Sequence, residues 1–171
     1  MRSRTSPLPV EPVEPGPGQE SVWGYPRPPK VEDSNRHVQV WLNGVLVAET
    51  RRAKRVLETS HPPAWYIPPE DVRLEHFREN DEGSWCEWKG LTHYYDVEVN
   101  GVQVPSAAWF YEQPTRMFDE LKGYVAFYPQ LMEACYVDGE RVTAQPGGFY
   151  GGWITSDVVG PFKGGPGTEL W

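Results

Sequence analysis

Apolar and polar residues alternate along several short stretches of the chain, and each stretch surrounds a turn signal. HVQVWLNGVLVAET alternates around Asn43-Gly44, and YYDVEVNGVQVPS alternates around Asn100-Gly101. CYVDGERVTA repeats the pattern around Asp138-Gly139. Period-two alternation is typical of half-buried strands, and Asn-Gly or Asp-Gly favours the type I′ turn of a tight hairpin. The pattern therefore predicts three β-hairpins.

The segments between these hairpins carry other signals. Residues 59–72 hold four prolines, which argues against a central strand there. PTRMFDELKGYVAFYP is predicted to begin with a brief helix over 115–122 that ends at Gly123, followed by a strand over 124–128. The stretch QPGGFYGGWITSDVVGPFKGGPG holds too many glycines for a helix. We expect this stretch to pass close to another segment of the protein or to a ligand.

The 171 residues suit one domain with terminal extensions. Residues 1–19, rich in Pro and Glu, are predicted to be a disordered tail. Residues 20–35 are predicted to be an extended aromatic and proline-rich arm that docks on the protein's own domain or on a second copy, giving a homodimer through residues 20–32. Residues 36–165 are predicted to form a single β-rich domain, and residues 166–171 a C-terminal tail.

The charge balance limits the partners of this protein. The formal net charge is −8, which argues against binding to nucleic acid or to an anionic membrane surface. RRAKR at 51–55 is the one basic cluster of the sequence. We interpret it as a solvated turn and strand edge, with an anion site as the alternative.

The sequence is also expected to be that of a cytoplasmic protein. No apolar run approaches the roughly 18–20 residues of a membrane helix, and the N-terminal residues lack the apolar stretch of a secretory signal. Cys86 and Cys135 are the two cysteines of the chain. A cytosolic compartment keeps thiols reduced, so we expect both to be unpaired.

Cys86 lies between Trp85 and Trp88 in GSWCEWKGLTHYYDV. Free cysteines usually behave as small buried hydrophobes, so a core position is one interpretation. The others are a non-reactive pocket wall and a nucleophilic or redox thiol, which needs a nearby cation. Lys89 is the candidate cation. In a continuous strand it would face away from Cys86, whereas a turn at Lys89-Gly90 would remove that constraint.

His61 is the second candidate for chemistry. Pro62 and Pro63 follow it and fix the backbone, which holds the imidazole in a defined place. Such positioning suits a base or a ligand hydrogen bond, and equally a structural hydrogen bond. Cys86 and His61 are thus the candidate catalytic residues, and no metal site and no cofactor is predicted.

Aromatic residues form the largest candidate set, with eight Trp, nine Tyr and six Phe in the chain. They are predicted either to fill an aromatic core or to line a pocket for a planar or cationic ligand. The residues predicted to bind a ligand are Tyr66, Trp88, Lys89, Trp109, Tyr111, Tyr128 and Trp153.

Longer motifs resemble a known family. They are RRAKRVLETSHPPAWYIPPEDV, WCEWKGLTHYYDVEVNG, AAWFYEQP and GYVAFYP, flanked by ESVWGYPRPP and GGFYGGWITSDVVGPFKG. Together they cover about residues 20–165 and resemble the bacterial and fungal family called domain of unknown function 427. The resemblance implies a mainly β fold of the β-tent (Mss4-like) type, with antiparallel sheets built from hairpins and one or two short helices. That group includes Mss4-type chaperones, methionine sulfoxide reductase B and the thalidomide-binding domain of cereblon.

The sequence departs from two properties associated with this resemblance. Most β-tent proteins hold a zinc ion with two CxxC pairs. This chain has no CxxC, so we predict that the structural zinc is absent. The family is also described as nucleotidyltransferase-like, but the chain lacks a glycine-rich phosphate loop and a paired-aspartate motif for magnesium. We therefore do not assign that activity.

Three hypotheses on function follow from the sequence. The favoured one is a small-molecule binding module with an aromatic-lined pocket whose ligand is unknown. The second is an enzyme that uses the thiol of Cys86 or the imidazole of His61. The third is a structural or interaction protein that forms a dimer by exchanging its N-terminal arms.

Overall fold

The structure, a computed structural model, describes residues 10–171. Within that range the chain forms fifteen strands and five short 3₁₀ helices. The strands, in chain order, are β1 (Glu20–Ser21), β2 (Lys30–Ser34), β3 (Val38–Leu42), β4 (Val45–Thr50), β5 (Ala53–Leu57), β6 (Ala64–Ile67), β7 (Phe77–Cys86), β8 (Gly90–Val99), β9 (Val102–Phe110), β10 (Val125–Phe127), β11 (Ala134–Val137), β12 (Glu140–Arg141), β13 (Thr143–Ala144), β14 (Trp153–Ile154) and β15 (Val158–Val159). The 3₁₀ helices span Val22–Gly24, Pro69–Asp71, Leu74–His76, Arg116–Leu121 and Pro129–Leu131.

Two antiparallel sheets hold most of the strands. The larger has seven strands in the order β2-β5-β6-β10-β9-β8-β7, and the smaller has four in the order β12-β11-β3-β4. Two further strand pairs are small, with β1 parallel to β15 and β13 antiparallel to β14. The predicted mainly β fold with antiparallel sheets is confirmed, and its likeness to the β-tent group stays a prediction. None of the helices in residues 10–171 has the length and apolar composition needed to cross a membrane.

All three predicted hairpins are present. Asn43-Gly44 joins β3 to β4, Asn100-Gly101 joins β8 to β9, and Asp138-Gly139 joins β11 to β12. Both residues of each turn have a positive φ, between 47° and 84°. A type I′ turn requires this conformation at both central positions. Local turn chemistry was therefore sufficient to place these hairpins.

The elements between the hairpins agree only in part with the predictions made from the sequence. The helix predicted over 115–122 is present as the 3₁₀ segment Arg116–Leu121, and the following strand is β10. The prediction for residues 59–72 is wrong, because β6 lies between β5 and β10 inside the larger sheet. The four prolines of residues 59–72 lie outside β6, two before it and two after it. The strand residues therefore keep every backbone N–H that the ladder needs.

The main core lies between the two large sheets. Val38 and Val40 of β3 belong to it together with Trp65 of β6 and Phe127 of β10, and each is at most 2% exposed. Trp153 is fully buried in the same core, where its indole N–H donates to the carbonyl oxygen of Phe127 at 3.0 Å. Burial of these large side chains supplies most of the driving force for folding.

The N-terminal arm packs on the protein's own domain in this structure. Val22 and Tyr25 are buried beside Leu57 and Val158, and the indole N–H of Trp23 donates to the carbonyl oxygen of Pro161 at 2.9 Å. A homodimer through residues 20–32 and the domain boundaries stay predictions. Of the tail predicted to be disordered, residues 1–9 lie outside the described residues. Residues 11–19 are exposed, and the backbone N–H of Val13 donates to the carbonyl oxygen of Gly160 at 2.8 Å.

The C-terminal segment is fixed where it crosses the loop after β13. The backbone N–H of Lys163 donates to the carbonyl oxygen of Ser60 at 2.9 Å, and the Gln145 amide donates to that of Lys163 at 2.7 Å. Gly164, with φ at 144°, lies so close to Pro146 that a Cβ would overlap the carbonyl oxygen of Pro146. A glycine is therefore required at this crossing.

Gly164→Ala is expected to lower the free energy of unfolding by about 3 kcal/mol, because neither backbone can move aside without breaking these hydrogen bonds. Gly165→Ala is the matched control, since a Cβ there meets open space. We expect a change of at most about 0.5 kcal/mol for the control. Urea unfolding measures both, and equal midpoints for the two variants would show that the crossing is not tightly packed.

Candidate functional site

A cleft of about 410 Å³ opens on the face of the larger sheet that turns away from the main core. We call it the aromatic cleft. Side chains on a strand alternate between the two faces of a sheet. Trp65 and Phe127 therefore face the core, while their neighbours Tyr66 and Tyr128 face the cleft. Its lining residues are Val56, Glu58, His61, Pro62, Ala64, Tyr66, Ser84, Trp85, Cys86, Glu87, Trp88, Lys89, Thr92, Tyr94, Trp109, Tyr111, Tyr128, Gln145, Phe149, Tyr150, Gly151, Gly152 and Lys163.

Strand register builds the floor of the aromatic cleft. Tyr94, Trp109, Ala126 and Tyr66 pair in one row across β8, β9, β10 and β6. Ala126 has no side chain beyond Cβ, so Trp109 and Tyr66 approach each other over it. The indole N–H of Trp109 donates to the Tyr66 hydroxyl at 3.1 Å. Strands from different parts of the chain thus bring three aromatic side chains together.

The loop between β13 and β14, residues 145–152, forms a second wall of the cleft, which we call the glycine wall. Gly151 lies against the ring of Trp109 so closely that a Cβ would overlap it. Gln145 is 3% exposed, and its carbonyl oxygen accepts from the backbone N–H of Gly152 at 3.0 Å. Close contact between a glycine backbone and an indole face lets the loop cover the sheet without filling the cleft.

The turn after β7 carries Lys89, one of the two lysines that line the cleft. The backbone N–H and hydroxyl of Thr115 donate to the carbonyl oxygens of Lys89 and Trp88 at 3.0 and 2.6 Å. The Lys89 ammonium lies 3.6 Å from the sulfur of Cys86. It also lies over the rings of Tyr111 and Phe118, at 5.9 and 5.7 Å from their centroids. The turn removes the opposite-face constraint of a continuous strand, so Lys89 and Cys86 meet.

The tautomer of His61 follows from its neighbour Gln145, and its uncharged state follows from burial. The Gln145 amide is oriented by its two backbone partners, because the N–H of Gly152 needs an acceptor and the carbonyl of Lys163 needs a donor. Its NH₂ therefore faces Nδ1 of His61, at 3.1 Å, and Nδ1 carries a lone pair. Burial and the charge of Lys163 lower the pKa of His61 to about 4. At neutral pH His61 is thus an uncharged donor through Nε2–H.

Three tyrosines of the cleft also stay uncharged. Burial raises the pKa of Tyr66, Tyr111 and Tyr128 well above the usual value of a phenol. Their hydroxyls are therefore protonated at neutral pH and can donate hydrogen bonds. These three phenols can therefore make polar contacts with a ligand without adding charge to the cleft.

The structure brings most of the sequence-predicted site residues together. Those that line the aromatic cleft are Cys86, His61, Tyr66, Trp88, Lys89, Trp109, Tyr111 and Tyr128. Trp153 does not line it, because alternation along β14 directs its side chain into the main core. Sequence reasoning missed Tyr94, Gln145 and Lys163 as lining residues. The glycine-dense stretch around Gly151 was the one signal that pointed toward this wall.

A second concavity is a polar groove of about 880 Å³ beside the N-terminal arm. Its cationic side chains come largely from the basic cluster at 51–55. Arg55 pairs with Glu20 and Glu32, and Lys54 pairs with Asp33. Lys54 and Arg55 are thus already paired with carboxylates, so the groove is a weaker candidate for ligand binding than the aromatic cleft.

Residues 10–171 contain no group of three or more His, Cys, Asp or Glu side chains that could hold a metal ion. Cys135 is 1% exposed in the main core, and both cysteines are free thiols. The titratable groups of the cleft are two ammonium groups, two carboxylates, a thiol, a neutral imidazole and phenols.

The lowered pKa of His61 predicts a dependence of stability on pH. Below about pH 6.5 the unfolded chain binds a proton at this residue, while the folded chain binds it only near pH 4. Stability is therefore complete above pH 6.5 and falls by up to about 3 kcal/mol toward pH 4. In His61→Asn this part of the loss should disappear. Unfolding curves between pH 7 and 4 measure it, and parallel profiles for both proteins would contradict a neutral buried His61.

Comparison with known proteins places the chain in a family without giving an activity. A search of curated proteins found no match. The family model for a domain of unknown function (DUF427) matches residues 30–138, which is more than half of the chain and includes β2 to β11. The matched range contains Cys86, Lys89 and His61, while the glycine wall lies beyond it. The chain belongs to the family of the domain of unknown function DUF427.

Proposed function

We propose that this protein binds a small molecule in the aromatic cleft. The observation that supports the proposal is the cleft itself, about 410 Å³ in volume and walled by Trp and Tyr rings. Ligand sites are typically concave, largely apolar and about 300–1,000 Å³ in volume, with a few polar groups that fix the orientation of the ligand. Lys89, His61 and Cys86 are such groups.

The burial of the rings also supports a site rather than a plain core. Tyr66 and Trp109 are 1% and 8% exposed and form the packed back of the cleft. Trp88, Tyr94 and Tyr128 pack against them but stay partly exposed. A packed aromatic core would leave no room for a guest, whereas this arrangement offers ring faces and edges to one.

Filling the cleft should abolish binding. Ala64 lies on its wall and is partly exposed, so Ala64→Phe places a ring in the space of a ligand. A metabolite panel is screened by thermal shift against the wild type, Ala64→Phe and the nearly isosteric control Ala64→Ser. A ligand at 100 times its dissociation constant stabilises by about 2.7 kcal/mol, which raises the melting temperature by about 5–10 °C.

We expect hits to shift the wild type and Ala64→Ser and to leave Ala64→Phe unchanged. Hits that shift Ala64→Phe equally bind elsewhere and would contradict the proposal. The melting temperature of each unliganded variant shows whether it folds.

A second candidate function is thiol-dependent catalysis by Cys86. The observation that favours it is the 3.6 Å separation between the Lys89 ammonium and the Cys86 sulfur. A neighbouring cation stabilises the thiolate, which is the nucleophilic form of cysteine. Cys86 is partly exposed in the cleft, so a substrate has access to the sulfur.

Reaction with iodoacetamide at pH 7 tests this candidate. Cys86 should be alkylated about tenfold faster than glutathione, and Lys89→Met should remove the advantage. Cys135 serves as the internal control, because its burial protects it from the reagent. Mass spectrometry of the two cysteine peptides gives both rates. Alkylation of Cys86 no faster than that of glutathione would leave it as a wall residue.

A further inference from the structure

Lys89 is a buried cation without a carboxylate partner. The residue is 8% exposed, and its ammonium contacts the sulfur of Cys86 and two ring faces. Among residues 10–171 no carboxylate lies within ion-pair distance of it. Removing an ammonium from water without a counter-charge is costly. A ligand with a negative charge would supply the missing counter-charge.

We propose that the ligand of the aromatic cleft is a flat aromatic molecule with a carboxylate, and that this carboxylate pairs with Lys89. This inference rests on the proposed function, which it deepens by naming the ligand class. The rings supply the surfaces for the flat part of the molecule. Lys89, held by the hydrogen bonds of its turn to Thr115, supplies a fixed positive charge.

The other polar groups of the cleft agree with an anion. Lys163 lies over the ring of Tyr150 at 5.7 Å from its centroid and adds a second positive charge to the lining. His61 is uncharged and offers Nε2–H as a donor, which suits a carboxylate oxygen. Both lysines would repel a cation, although aromatic walls by themselves would suit one.

Two carboxylates also line the cleft, and neither opposes this assignment. Glu58 lies 3.8 Å from the guanidinium of Arg27, whose positive charge offsets its own, and 3.8 Å from Nε2 of the uncharged His61. Glu87 is exposed at the turn, where water screens its charge. The inner part of the cleft therefore carries a positive potential.

Matched sets of probes that differ only in charge test the ligand class. One set is indole-3-acetate, indole-3-acetamide and indole-3-ethylamine, and a second is 2-naphthoate with its amide and its methylamine analogue. Binding is measured by calorimetry at pH 7.5. We expect the acid of a set to bind at least about tenfold more tightly than the amide and the amine to bind most weakly, since only the acid pairs with Lys89.

Lys89→Met keeps the length and packing of the side chain but removes its charge. It should weaken binding of the acid about tenfold, to the level of the amide, while binding of the amide changes less than about threefold. Retained amide binding shows that the cleft is intact. Lys89→Arg should restore part of the preference for the acid, and the exposed Lys122→Met is the control that should bind like the wild type.

The outcomes separate this inference from the proposed function. Amides or amines that bind as tightly as acids, or a preference for acids that survives in Lys89→Met, would overturn the inference and leave a binding cleft for another ligand class. A complete lack of binding by all probes and by the metabolite panel would remove the proposed function and this inference together.

Discussion

The alternation of side chains along the larger sheet is the constraint on which the rest of this structure depends. Neighbouring residues on a strand face opposite sides, so Trp65-Tyr66 and Phe127-Tyr128 each supply one aromatic side chain to each face. The first of each pair packs in the core against the smaller sheet, and the second faces the cleft. A one-residue shift in register would exchange the two sets and empty the core of its largest side chains.

A sheet face rich in tyrosine and tryptophan needs a cover, and the glycine wall provides one. Gly151 passes directly over Trp109, where any side chain would overlap the indole. The buried Gln145 amide accepts from the backbone N–H of Gly152 and donates to the carbonyl oxygen of Lys163, and these hydrogen bonds hold the wall at this distance. The glycine wall therefore covers the packed back of the aromatic cleft and leaves its front open.

The hydrogen bonds that shape the cleft also fix the positions of its charged and polar side chains. The turn after β7 is fixed by Thr115, and this turn, rather than the strand before it, directs the Lys89 ammonium toward Cys86 and the aromatic rings. The amide that holds the glycine wall also fixes the proton of His61 on Nε2. An aromatic surface, a fixed cation and neutral donors thus converge on one space, which is the arrangement that a flat anionic guest requires.

The sequence by itself determined the features that depend on local chemistry. Asn-Gly and Asp-Gly turns favour their hairpins through backbone conformation, and period-two alternation marks the strands. The sequence also identified most of the aromatic residues of the cleft, because they lie next to Pro or Gly in the motifs that resemble the family. Only the tertiary structure decided that β6 is central, that Trp153 belongs to the core, and that His61 meets Gln145. These outcomes depend on which distant strands pair and in which register, and no local signal encodes that choice.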